Sequence, residues 1–373
     1  MKLVSERYSK LHPKFKLNGR SYTIESLKAQ AYECIKEGEP YEEAVGSFLL
    51  DWLNDSKYVT VNTSGSTGSP KAIRIKKEHM VHSAKATGNH FKLPEKTTAL
   101  LCLPAYFISG KMMLVRAIIL GWHLDMAWPK SNPLEHVFRR YDFCAMTPLQ
   151  LDNSLDRMHL IKKLIVGGGT IPPALLNRLY EVDTKIFETY GMTETVTHIA
   201  ARRVNSKKER GEHLPFKTLS HVTVSIDDRS CLVIKAPDVS TDPVITNDIV
   251  RLITHKKFEW LGRIDNVINS GGIKLHPEQI ESKLAPLIDS PFFVGGIADN
   301  RLGEKLALFV EQDEVFAFAK LPAVKEGEDG SNSQLLRYEF PKVIITMPQF
   351  VRTENGKLQR GQTIRQALLS DKN

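Results

Sequence analysis

The chain has 373 residues, of which 42% are hydrophobic and 25% charged, and it carries a formal charge of +8. That length allows two domains with a sizeable core, and the composition excludes a disordered or fibrous chain. No apolar run approaches the ~20 residues of a membrane span. The charged start MKLVSERYSKLHPKFKLNGR lacks the apolar stretch of a signal peptide, so a cytoplasmic protein is expected. The four cysteines, Cys34, Cys102, Cys144 and Cys231, show no metal-binding spacing and read as reduced, mostly buried thiols. The basic residues are dispersed, with short clusters at 71–77 and 202–210 and no interleaved aromatic strip. They suit polyanionic small molecules, and nucleic-acid binding would rest on charge alone.

In chain order, apolar runs at 58–62, 99–103, 143–146 and 164–166 read as buried strands. Helical patterns at 77–91, 111–120, 148–156 and 173–180 lie among them. This alternation argues for an α/β layered fold with a largely parallel sheet. Between 219 and 253 the pattern changes to short alternating strands, such as 222–226 and 232–235, which gives a β-rich subregion. The turn-like GRIDNVINSGG then precedes a helix at 277–287, strands near 292–297 and 306–311, and a terminal helix at 358–369. The expected organisation is a large domain at 1–263 and a small α+β domain at 264–373, with a surface loop at 326–333.

The strongest local signal is Thr63-Ser64-Gly65-Ser66-Thr67-Gly68-Ser69-Pro70-Lys71, following a strand and preceding a helix. Its glycines let backbone approach an anion, its hydroxyls and N–H groups offer donors to phosphate oxygens, and Lys71 adds charge. A flexible Ser/Gly linker is the bland alternative. The P-loop pattern GxxxxGK[ST] does not occur.

TSGSTGSPK resembles the phosphate loop of the adenylate-forming superfamily, which includes acyl-CoA synthetases, peptide-synthetase adenylation domains and beetle luciferases. Further segments resemble that family in the same order, from Thr63 to Arg360. Tyr190-Gly191-Met192-Thr193-Glu194 is similar to YGxTE. The resemblance implies that Thr193 touches phosphate, that Glu194 helps hold Mg²⁺, that Tyr190 stacks on adenine, and that Glu188 accepts from its amino group. Gly167-Gly168-Gly169 resembles the turn between adenine and the acyl group, although an ordinary strand–helix turn reads the same way. Thr246-Asn247-Asp248 stands where the family usually has TGD, and Asp248 would bind the ribose hydroxyls. Asn247 in place of Gly is tolerable because Asn also enters the left-handed region.

Gly262-Arg263-Ile264-Asp265 through Gly271-Gly272-Ile273-Lys274 resembles the hinge segment. It implies Arg263 at the ribose, Asp265 as hinge, and Gly271, Gly272 and Lys274 along a thiol tunnel. Arg352-Thr353-Glu354-Asn355-Gly356-Lys357 resembles the loop of the catalytic lysine. Lys357 would stabilise charge at the α-phosphate during adenylation. The family usually has a longer stretch before its phosphate loop than the 62 residues here. A shortened N-terminal subdomain is therefore expected, with a homodimer partner to cover the gap.

Pro104-Ala105-Tyr106-Phe107-Ile108-Ser109-Gly110 aligns with the family's PLFHxxG, so Phe107 replaces the usual His. Arg116 interrupts an apolar helix, and a buried cation needs a partner. SGKMMLVRAIILG resembles o-succinylbenzoate–CoA ligases of menaquinone synthesis, in which a basic residue stands at the matching place. The implied acyl pocket holds Phe107, Ser109, Gly110, Gly167 and Arg116, with Arg116 on a second substrate carboxylate; a structural salt bridge is the alternative. The function implied is an ATP- and Mg²⁺-dependent ligase joining a small carboxylic acid to coenzyme A through an acyl-AMP. Loading of a carrier protein and non-catalytic AMP binding are the competing readings.

Overall fold

The computed structural model describes residues 10–62, 72–206, 214–313, 335–353 and 358–370. The chain opens with a small hairpin, β1 (Lys16–Leu17) and β2 (Arg20–Ser21). Two helices follow, α1 (Ile24–Glu37) and α2 (Pro40–Leu53), where the sequence reading assigned no element. Thr23 and Ser26 cap α1 reciprocally, and Pro40 opens α2 at its first helical position. Their apolar faces, including Leu27, Ala31, Phe48, Leu49 and Trp52, enter the main core.

The TSGSTGSPK segment at 63–71 lies outside the described residues, but its flanks are defined. β3 (Tyr58–Asn62) and β4 (Ala72–Lys76) pair antiparallel from Tyr58↔Lys76 to Asn62↔Ala72. The segment thus joins two strands of a hairpin, where strand-then-helix was expected. Residues 72–76, AIRIK, alternate Ile73 and Ile75 with polar groups, and that period of two makes a strand before α3 (Lys77–Phe91) begins. Lys77 is buried, and its ammonium donates to the carbonyls of Trp52 (2.9 Å) and Asn54 (2.8 Å) and to Asn54 Oδ1 (3.0 Å). This ties the end of α2 to the hairpin that bears the segment.

Next come β5 (Thr98–Leu101), α4 (Ile108–Leu120), β6 (His123–Met126) and β7 (Tyr141–Met146). They are followed by α5 (Pro148–Asn153), β8 (Ile161–Val166), α6 (Pro173–Leu179) and β9 (Lys185–Gly191). Strands β6, β5, β7, β8 and β9 run parallel in that order. Their residues alternate between two cores: Ala99, Phe143 and Ile165 face α1 to α4, whereas Leu100, Cys144 and Leu164 face α5 and α6. All four cysteines are buried and free.

The same sheet continues antiparallel through β10 (His198–Arg203), β11 (Phe216–Thr218), β12 (Thr223–Ile226), β13 (Cys231–Lys235), β14 (Val244–Thr254) and β15 (Lys257–Arg263). One 13-stranded sheet results, with the β-rich subregion as its antiparallel half. A second, five-stranded sheet holds β16 (Ile268–Ser270), β17 (Ile273–Leu275), β18 (Phe292–Asp299), β19 (Gly303–Glu311) and β20 (Val343–Met347). Helices α7 (Pro277–Leu284) and α8 (Arg360–Ser370) cover its two faces. Between Arg263 and Ile268 the chain passes from one sheet to the other. No helix among the described residues is long and apolar enough to cross a membrane.

Candidate functional site

In a parallel sheet the carboxyl ends of the strands open onto loops, and binding crevices form there. Here β8 runs into Gly167-Gly168-Gly169 and β9 into Met192-Thr193-Glu194. Gly168 has φ +83°, and nothing lies within 4 Å of where its Cβ would be, so a bare backbone faces open space. A side chain at Gly167 would meet Thr189 Oγ1 at 2.7 Å, while Gly169 is clear to Pro148 at 3.9 Å. This geometry fits a flat ligand against the turn. At Gly191 the reason for glycine is packing, since a Cβ would overlap the Thr197 carbonyl oxygen at 2.2 Å.

Glu194 is exposed and makes no ion pair among the described residues. A single carboxylate suffices for Mg²⁺, which keeps several waters and is shared with substrate phosphates. No group of three His, Cys, Asp or Glu residues able to hold a metal occurs among the described residues. Thr193 stands beside Glu194 in a short 3-10 turn.

Asp248 on β14 is buried, and both its oxygens are engaged. Tyr190 Oη donates to Oδ2 (2.6 Å), Trp260 Nε1 donates to Oδ1 (3.1 Å), and Arg263 Nε stands 4.0 Å from Oδ1. Donors on both sides fix the carboxylate plane and leave a lone pair on each oxygen, the form needed to accept from a vicinal diol. Tyr190 packs against Phe216 and Phe258 with ring centroids 5.8 and 5.2 Å away. Burial and then Asp248 push its phenol far above the ordinary range, so it remains a donor. Trp260 was missed in the sequence; the alternation of Phe258, Trp260 and Gly262 on β15 was the signal available.

Glu188 has partners that the sequence did not show. Its carboxylate is buried and paired with Arg202, Nε to Oε2 at 2.7 Å and Nη2 to Oε2 at 2.6 Å. Its Oε1 accepts from the Ile171 N–H at 3.3 Å. It braces the glycine turn from behind, with Oε1 taking a single contact. Asn247 is a correction. Its backbone is not left-handed but belongs to the extended β14, so the exchange for glycine needs no special φ.

Helix α4 starts at Ile108, just after Phe107, and packs tightly on Pro104, whose carbonyl oxygen would lie 2.3 Å from a Cβ at Gly110. Ser109 is half-buried in the first turn. Arg116, two turns on, is 2% exposed. Its guanidinium donates to Thr87 Oγ1 (3.3 Å), Thr197 Oγ1 (3.4 Å) and Met113 Sδ (3.6 Å). No carboxylate among the described residues faces it. Burial lowers its pKa to about 10, so it remains a cation at neutral pH. The buried ring of His198 lies 3.5 Å from the Thr87 hydroxyl, and burial and then Arg116 hold it well below the ordinary histidine range, hence neutral.

Thr197 reaches this pocket through a strained turn. Val196 has φ 66° and ψ −62°, and the Thr197 N–H bonds the Thr195 carbonyl at 2.8 Å, a γ-turn of the rarer hand. The turn joins Thr193 and Glu194 to the hydroxyl beside Arg116. Thr193 and Glu194 thus lie only four and three residues along the chain from the hydroxyl that meets Arg116.

In the smaller sheet, Gly271 and Gly272 have φ +59° and +85° and form the two-residue turn between β16 and β17, with Lys274 exposed beside them. Lys357 lies outside the described residues, as do Thr63, Ser64, Gly65, Ser66, Thr67, Gly68 and Lys71. The flanks of Lys357 are held firmly. Arg352 pairs with Glu311, and Arg360 is bidentate on Glu281 at 2.6 and 2.8 Å. Arg352 and Leu358 bridge as antiparallel partners.

Comparison with known proteins agrees with this geometry. A 2-succinylbenzoate–CoA ligase of Bacillus pumilus is 26% identical over 94% of this chain and 76% of its own length. The solved structure of an acyl-CoA synthetase (AMP-forming)/AMP-acid ligase II-like protein from Dyadobacter fermentans is 31% identical, covers 91% of this chain and 98% of its own, and has a TM-score of 0.58. The o-succinylbenzoate CoA synthetase of Bacillus subtilis, solved with its acyl-adenylate intermediate, has a TM-score of 0.76 over 95% of this chain and 96% of its own at 17% identity, a likeness of fold. The family model of the AMP-binding enzymes matches residues 9–230, more than half of the sequence, and the chain belongs to that family of adenylate-forming ligases.

Proposed function

We propose that the enzyme is a 2-succinylbenzoate–CoA ligase acting through an acyl-AMP intermediate. The observation that carries the substrate is Arg116: a fully buried cation whose hydrogen-bond partners among the described residues are two hydroxyls and a thioether. Such a charge is costly unless an anion meets it. A dicarboxylic acid supplies that anion with one carboxylate and presents the other to ATP. Similarity to the 2-succinylbenzoate–CoA ligase of Bacillus pumilus supports the same acid.

The roles are those that the family resemblance implies. Lys71, Thr67 and Thr193 would hold the triphosphate, and Glu194 would help hold a Mg²⁺ that offsets phosphate charge. Asp248 and Arg263 take the ribose, Tyr190 borders the adenine, and Gly168 and Gly169 form the wall beside it. The substrate carboxylate oxygen attacks the α-phosphorus, the bond to the β-phosphate oxygen breaks, and pyrophosphate leaves with Lys357 countering the developing charge. The domain at 264–373 then rotates about Asp265, removing Lys357 and bringing up Gly271, Gly272 and Lys274. The coenzyme A sulfur attacks the acyl carbonyl, the acyl–phosphate bond breaks, and AMP leaves with the electron pair as the thiol proton is released. Position and electrostatics are what the protein contributes. The same reading places the reaction in the cytoplasm, with a homodimer as the working form.

Purified enzyme given ATP, Mg²⁺, coenzyme A and 2-succinylbenzoate should release pyrophosphate and form the thioester. Activity confined to fatty or plain benzoic acids would overturn the substrate and leave the ligase class intact.

A further inference from the structure

Asn247 occupies the middle of Thr246-Asn247-Asp248, and its side chain reaches across to the segment joining the two sheets. Its Nδ2 donates to both carboxylate oxygens of Asp265, at 3.2 and 3.3 Å. Its Oδ1 accepts from Arg229 Nη1 at 3.2 Å, which fixes the orientation of the amide. Arg229 is itself anchored, donating to the Thr246 carbonyl (3.1 Å) and to Asp227 Oδ2 (2.9 Å). The remaining donor on Asp265 is Arg263 Nη2 at 2.6 Å, from the same guanidinium whose Nε faces Asp248. One connected set of polar groups thus links the carboxylate at the nucleotide site to the one at the joint. Glycine at position 247 would leave only the Arg263 contact.

We propose that Asn247 is a positioning residue that latches the hinge carboxylate of Asp265 to β14 and so biases the equilibrium between the two domain arrangements. This rests on the reading of Asp265 as the hinge. Rotation of the backbone at Asp265 swings its carboxylate away from β14, so the two amide bonds exist in one arrangement and not in the other. A contact made in only one state shifts a two-state equilibrium by its own free energy. Asp265 is half exposed, its side chain at 48%, so each bond is modest and the expected shift is about three- to tenfold.

The test separates the half-reactions in the full-length enzyme. Pyrophosphate release in a single turnover reads adenylation, and thioester formation from supplied acyl-AMP reads the second step. Asn247→Ala should speed one and slow the other by that factor. Asn247→Asp, which sets two carboxylates against each other, should move both further in the same directions. In an Asp265→Ala background Asn247→Ala should have no effect. Loss of fold would slow both steps together and cannot mimic opposite shifts. The control is Asp265→Pro, which restricts rotation at the joint because proline fixes φ. If Asp265→Pro separates the two steps while Asn247→Ala leaves their ratio unchanged, the latch is wrong and the hinge stands. If Asp265→Pro leaves the ratio unchanged, the hinge reading fails and the latch with it.

Discussion

Replacing Arg116 with methionine should move activity and stability in opposite directions. Methionine approximates the length of the side chain and adapts to irregular space. The change strands no polar neighbour, because Thr87 Oγ1 still donates to the Ser83 carbonyl (2.9 Å) and Thr197 Oγ1 still meets Ser83 Oγ (2.9 Å). It removes a buried cation that has no counter-ion among the described residues. The ligand-free enzyme should therefore gain about 1–2 kcal/mol, a rise in Tm of roughly 2–6 °C for a domain this large. The substrate complex loses its charge pair, about 2–5 kcal/mol, or at least roughly thirtyfold in kcat/KM for the dicarboxylic acid. An acid lacking the second carboxylate should lose far less. Differential scanning fluorimetry without ligands, beside pyrophosphate-coupled kinetics on both acids, measures both halves. A lower Tm together with equal losses on the two acids would mean that Arg116 serves a structural ion pair, and the substrate argument would collapse.

Lys357→Ala should abolish acyl-AMP formation yet spare thioester formation from supplied acyl-AMP, and equal loss of both steps would contradict the two-arrangement scheme. Trp260→Phe keeps the ring and removes the donor to Asp248, so KM for ATP should rise about three- to tenfold with kcat little changed; an unchanged KM would remove Trp260 from ribose positioning. His198 stays neutral in the folded protein well below the ordinary value of 6.5, whereas the unfolded chain takes up a proton there. Stability should fall as pH drops below 6.5, by up to about 1.4 kcal/mol per pH unit from this group. His198→Gln should flatten urea-derived stability against pH between 6.5 and 5, and an unaltered slope would refute the assignment. Lys77→Met would strand the carbonyls of Trp52 and Asn54 and should cost about 2–3 kcal/mol in the same unfolding assay.

Most single elements were legible because they depend on local pattern. The helix at 77–91 begins and ends where the sequence puts it, and the strand at 58–62 likewise. The pairing of strands was less visible. No element was assigned to 72–76, because the alternation in AIRIK is short and gains its force only with Val59 and Val61 paired opposite. The first helix escaped notice because α1 exposes most of its surface and shows only three buried residues along its length. At the site, Asp248, Arg263 and Tyr190 were found through their motifs, whereas Trp260 was not, since its indole gains meaning only from the carboxylate on the neighbouring strand.

The sequence by itself determined the chemistry on offer: a hydroxyl- and glycine-rich turn, an acidic residue after YGMT, a lysine near the tail, and an arginine set among apolar neighbours. Those are properties of residue type and spacing, which survive without coordinates. Only the tertiary structure decided which charges are already neutralised. It gave Glu188 to Arg202 and Asp265 to Arg263 and Asn247, and it left Arg116 with two hydroxyls and a thioether. The reason is that the cost of a charge depends on burial and on the groups brought to it from distant parts of the chain, and neither is written in local sequence.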